Sequence, residues 1–60
     1  MMKTYRDFYG CHACIRVFKN GSARLTIRTS SGSIFHAKDY KSERDARIAM
    51  GRLSDGWTQA

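Results

Sequence analysis

A Cys-x-x-Cys pair enclosing a histidine, Cys11-His12-Ala13-Cys14, is the stretch most suggestive of chemistry in this chain, and His36 is the only other histidine. Such residues suit a tetrahedral zinc site, but a structural zinc normally draws on a second ligand pair, and no further C-x-x-C or H-x-x-H occurs. If a strand begins by residue 11, Cys11 and Cys14 point to opposite faces and cannot converge on one ion. Redox use of the motif favours a helix N-terminus, where the thiolate is stabilised. Cys11 therefore reads as a small core residue and Cys14 as a neutral strand residue. No metal, no cofactor and no catalytic residue is expected. His36 with Asp39 lacks a nucleophile in any triad-like pattern, so the chain is not read as an enzyme.

The cations are the more informative residues. The 60-residue chain carries a net charge of +6, and from Phe8 to Lys38 there is no carboxylate beside Arg16, Lys19, Arg24, Arg28 and Lys38. The segment from residue 39 onward balances its charges. A basic segment joined to a neutral one suggests one directed surface rather than general solubility. A chain this short buries only about 60% of its unfolded surface and has little room for a deep pocket. No apolar run approaches the ~20 residues of a membrane span, and the polar, aromatic start is unlike a signal peptide. A cytoplasmic protein with reduced cysteines and no membrane association is expected.

These side chains must be placed by strands. Lys19-Asn20-Gly21 and Ser30-Ser31-Gly32 each put Gly at the third position, the pattern of three-residue hairpin loops. The first loop then pairs Val17 with Ala23, Ile15 with Leu25 and Ala13 with Ile27. A two-residue Asn-Gly loop would set Val17 against Arg24, and a slip of one residue sends a whole set of side chains to the wrong side. The second loop is expected to pair Ile27 with Phe35 and Leu25 with Ala37, giving one uniformly apolar face. The opposite face would then hold a row Arg16–Arg24–Lys38, with Thr26 between Cys14 and His36 and Arg28 between His12 and Ile34. Like charges directly opposite cost a few tenths to ~1 kcal/mol per pair, which a polyanion would relieve. The plain alternative is a solvated face, since Arg and Thr are ordinary outward strand residues.

Residues 1–10 show no clear periodicity. Tyr5, Phe8 and Tyr9 are expected to cover an edge of the core or to extend the first strand; the other reading is a basic-aromatic arm of Lys3, Tyr5 and Arg6 that reaches along a nucleic-acid backbone. Downstream, Ser42 is a good N-cap with Asp45 three residues on, and Glu43 and Asp45 complement the helix dipole. Ala46, Ala49, Met50 and Leu53 make a stripe at helical spacing that can cover the apolar face. Trp57 is expected to cap the core with Tyr40, though a Trp can also serve as a stacking platform for a base. Ile48 falls opposite the stripe and should be exposed beside Arg44, Arg47 and Arg52. The expected architecture is an α+β single domain, with an arm (1–10), a three-stranded antiparallel sheet (11–38), one C-terminal helix packed on one face (42–54) and a tail (55–60).

With Tyr40-Lys41-Ser42-Glu43-Arg44-Asp45-Ala46 as the passage from strand to helix, the chain over about residues 13–54 resembles the N-terminal arm-type DNA-binding domains of phage and transposon tyrosine integrases, whose fold is AP2-like. That resemblance implies that the exposed sheet face enters the major groove of duplex DNA. It carries base or phosphate contact to Arg16, Arg24, Thr26, Arg28, His36 and Lys38. Integrases continue into catalytic domains, so no recombinase activity is implied. The same strand–Asn-Gly–strand–Tyr-Lys-Ser-x-x-x-Ala–helix pattern is similar to the YegP-like family of small bacterial proteins. In brevity and composition the chain also resembles phage or prophage accessory proteins, which implies an alternative role as an interaction module for an acidic host or phage protein.

Overall fold

The computed structural model describes residues 2–59. Strands β1 (Met2–Arg6), β2 (His12–Val17), β3 (Ala23–Arg28) and β4 (Ile34–Tyr40) are followed by helix α1 (Glu43–Leu53) and a short strand β5 (Thr58–Gln59). They form one antiparallel sheet in the order β4-β3-β2-β1-β5. The α+β class with a single helix is as expected, but the sheet has five strands rather than three. The helix covers one face of it.

The central hairpin follows the loop chemistry. Phe18 and Ser22 close the first loop, with Phe18 N donating to Ser22 O at 2.8 Å, and Thr29 and Ser33 close the second in the same way. Gly21 and Gly32 both have φ near +90°, a conformation that costs Gly nothing and other residues a great deal. Val17 pairs with Ala23, Ile15 with Leu25 and Ala13 with Ile27. Ala13, Ile15, Ala23, Leu25 and Ile27 are all buried and meet Ala46 and Met50 of α1. Full burial of each large aliphatic side chain is worth about 1.5–3 kcal/mol.

β4 departs from the expected register. Arg28 pairs with Ile34, but a bulge follows, so Ile27 lies opposite His36 and Leu25 opposite Lys38. Phe35 is the extra residue, and neither Phe35–Ile27 nor Ala37–Leu25 pairing forms. The slip sends Phe35, Ala37 and Asp39 to the face away from the helix and His36, Lys38 and Tyr40 to the helix side. Three contacts favour it. Tyr40 packs on the core opposite Ala23, His36 Nε2 lies 3.0 Å from the Tyr40 hydroxyl, and Asp39 reaches Arg24. Its cost is that Phe35 leaves the core side and is 56% exposed. That forgoes about 1.5–3 kcal/mol of burial.

The expected N-terminal arm is instead β1, paired with β2 from Met2↔Arg16 to Arg6↔His12. Tyr5 is buried in the core. Lys3, on the same side, runs its aliphatic stem toward the helix and pairs with Glu43 at 2.8 Å. Neither residue is therefore free to reach along a nucleic-acid backbone. Phe8 and Tyr9 are exposed rather than packed as expected. Asp7 ties this corner to the helix end. Its carboxylate accepts from Tyr9 N, from Cys11 N at 2.8 Å and from the Ser54 hydroxyl at 2.6 Å.

The helix starts where its cap predicts, with Asp45 N donating to Ser42 Oγ at 3.2 Å. At its other end Ser54 N and Trp57 Nε1 both donate to the Met50 carbonyl, satisfying an acceptor that the helix leaves open. Trp57 and Tyr40 pack against the core as anticipated, and Ile48 is exposed. Leu53, the last residue of the expected stripe, is largely exposed.

Two outcomes check this architecture. The Ser54 hydroxyl first, and then the Cys11 and Tyr9 amides, hold the Asp7 carboxyl below its ordinary range. A depressed carboxylate adds stability above the unfolded-state pKa and loses it as pH falls through the lower folded value. Asp7→Ala should therefore lower the melting temperature at pH 7 and shrink the loss of stability between pH 5 and pH 2, as read by circular dichroism. The β4 register predicts that Phe35→Ala changes stability by less than about 1 kcal/mol, whereas Leu25→Ala costs about 2–5 kcal/mol in urea unfolding. A Phe35→Ala cost equal to that of Leu25→Ala would restore the unbulged pairing.

Candidate nucleic-acid interface

The sheet has one covered face and one open one. Cross-strand register sorts the open face into three rows. The first runs Met2, Arg16, Arg24, Asp39; the second Thr4, Cys14, Thr26, Ala37; the third Arg6, His12, Arg28, Ile34. Two rows of cations thus flank a middle row of short side chains. Arg24 and Arg28 are four residues apart on one strand, so the rows are separated by about 13 Å at ~3.3 Å per residue.

The expected row Arg16–Arg24–Lys38 is not formed, because the bulge puts Asp39 where Lys38 was expected. Arg24 Nε donates to Asp39 Oδ1 at 2.7 Å, with a second, longer contact from its terminal nitrogen. The pair is well exposed, at 57% and 61% for the two side chains. Its hydrogen bonding draws the Asp39 carboxyl below its usual range and holds Arg24 more firmly charged. Asp39 is the only acidic residue in any strand. Arg6, Arg16 and Arg28 form no ion pair among the described residues. Arg16 stacks 5.7 Å from the centre of the Phe18 ring. Arg28 donates to the Gly32 carbonyl at 3.2 Å, which keeps its guanidinium against its own loop.

Of the six residues singled out in the sequence, Arg16, Arg24, Thr26 and Arg28 therefore share the open face, and His36 and Lys38 do not. His36 is held against Tyr40, and Lys38 lies over the Tyr40 ring at 5.6 Å. Both line a groove between β4 and α1 together with Ile48, Ala49, Arg52 and Leu53. Arg6 belongs to the open face and was not selected as a sheet residue. Its strand has only Tyr5 as an inward apolar side chain, too little alternation to read. His12 joins it in the same row.

Cys14 lies in the middle row opposite Thr26, and Cys11 packs at the edge of the core, so the two diverge as anticipated. Partial burial first, then the Asp7 charge, push the Cys11 thiol up, which disfavours a thiolate there. Among the described residues no group of three or more His, Cys, Asp or Glu side chains comes together, and no helix is long and apolar enough to cross a membrane.

The chain matches no family model, no curated protein and no solved structure.

Proposed function

We propose that the open sheet face binds the phosphate backbone of nucleic acid, with no chemistry performed on it. The observation that carries this reading is the charge of that face. Arg6, Arg16, Arg24 and Arg28 project from strands in which Asp39 is the only acid. Asp39 offsets the charge of Arg24 opposite Arg16, so the cations that an anion would relieve are Arg6, Arg16 and Arg28, which form no ion pair among the described residues. Phosphate contact falls to the arginines. Thr26 and His12 supply polar contact to sugar or base. The short middle row lets a strand approach the sheet closely, and the two arginine rows then lie to either side of it. His36 and Lys38 drop out of this interface.

Titration of the full chain with a random-sequence DNA duplex at several salt concentrations tests the proposal. Neutralising three to four phosphates gives a log–log salt slope of about −3. Arg28→Ala and Arg16→Ala should each weaken binding and reduce the slope by about 1, whatever the sequence. Asp39→Asn releases Arg24 and should tighten binding and steepen the slope. Absence of binding at low salt to DNA of either form, duplex or single-stranded, with the chain folded, would overturn the reading. The groove bordered by His36, Lys38 and Arg52 would then become the surface to test against an acidic protein partner.

A further inference from the structure

Besides seating Tyr40 on the core and Asp39 on Arg24, the bulge in β4 turns Phe35 outward. In an unbulged hairpin Phe35 would lie over Ile27 in the core. Ile34 stands opposite Arg28 on the open face in either register, and the bulge brings Phe35, alternating with the helix-facing His36, to the same side. Both are more than half exposed. Bulges commonly re-aim side chains at functional surfaces. A second phenylalanine, Phe18, directly follows β2 and lies under the Arg16 guanidinium. Each end of the basic face thus carries an aromatic ring close to an arginine, Phe18 with Arg16 and Phe35 beside Arg28 in the neighbouring strand. The two rings are separated by six residues along the strand direction, about 20 Å, the span of a few nucleotides. Between them runs the middle row Cys14–Thr26–Ala37, which raises no bulky side chain.

We propose that the nucleic acid held by this face is single-stranded, with unpaired bases stacked on Phe35 and Phe18 while Arg16 and Arg28 contact the adjoining phosphates. The inference rests on the nucleic-acid reading above and narrows it. In a duplex the bases are stacked on one another and offer only their edges to a sheet, so exposed phenyl rings gain little. A single strand presents its base faces, and these stack on aromatic side chains regardless of sequence, with arginine adding a cation–π contribution. Basic grooves with spaced aromatic platforms are the general solution for such ligands. Ile34 widens the apolar surface beside Phe35 and excludes water from the stacked base.

Fluorescence anisotropy with a 12-mer of mixed sequence, presented as single-stranded DNA, as single-stranded RNA and as the DNA duplex, tests this over one matched series of salt concentrations. Either single strand should bind at least about tenfold more tightly than the duplex. Phe35→Ala should lose about tenfold in single-strand affinity, as for the loss of one base–aromatic stack. Its salt slope should be unchanged, because no phosphate contact is lost. Phe35→Tyr should bind as the parent does, whereas Phe35→Leu, apolar but without a π face, should bind as weakly as Phe35→Ala. Circular dichroism establishes that each variant is folded. Duplex binding as tight as that of both single strands, or a Phe35→Leu variant that binds like the parent, would overturn the stacking proposal and leave the basic-face reading standing. Failure of all three ligands at low salt would overturn both.

Discussion

One helix can cover only one face of a sheet. In this chain α1 lies over Ala13, Ile15, Ala23, Leu25 and Ile27, and Ala46 and Met50 on its inner side are small or adaptable enough to bring it close. Everything else is arranged around that single interface. The fully buried side chains of Ile15, Leu25 and Ile27 sit on two adjacent strands, so the core is narrow and the peripheral strands must be attached by other means. β1 is held by Tyr5 and by the Lys3–Glu43 pair, and the β1–β2 corner by the Asp7 carboxylate. β4 is held by Tyr40 and by Asp39 on Arg24. A short chain extends a small hydrophobic interface with directed polar contacts because it has no further apolar layer to add.

The same constraint leaves the proposed binding surface open. With no second layer, the far side of the sheet is open, and the alternation that buries Ile15, Leu25 and Ile27 turns Arg16, Arg24 and Arg28 outward without further design. The hairpin register that makes the core also makes the basic rows. Asp39 moderates this by neutralising Arg24 while leaving Arg6, Arg16 and Arg28 without a carboxylate partner among the described residues. That leaves cations at both ends of the face and a partly balanced pair at one corner.

The helix side offers a different chemistry. His36 and Lys38, turned inward by the bulge, border a groove whose apolar surface comes from Ile48, Ala49 and Leu53. Both lie at the rim of the core side, so they contribute nothing to the open face, although both are close in sequence to residues that do. A one-residue bulge thus exchanges a lysine for an aspartate on one surface and adds two apolar side chains to it.

Much of this was legible from the residues alone. Gly21 and Gly32 at the third loop positions, together with the alternation of Ala13–Val17 and Ala23–Ile27, determine the β2–β3 register, because any slip would put an arginine in the core. Ser42, Asp45 and the Ala46–Met50 spacing determine the helix start and its buried side, because capping and the 3.6-residue period are local properties. The register of β4 was decided by tertiary contacts. Phe35–Ala37 and His36–Lys38–Tyr40 are alternate sets of comparable amphipathic character, and the local pattern favoured the first. Tyr40 packing opposite Ala23 and Asp39 meeting Arg24 favour the second, and both depend on residues more than a dozen positions away. β1 was likewise invisible locally, since one inward tyrosine makes no period. Its place comes from the free edge of β2 and from Glu43, forty residues along the chain, which Lys3 can reach only once the helix has docked.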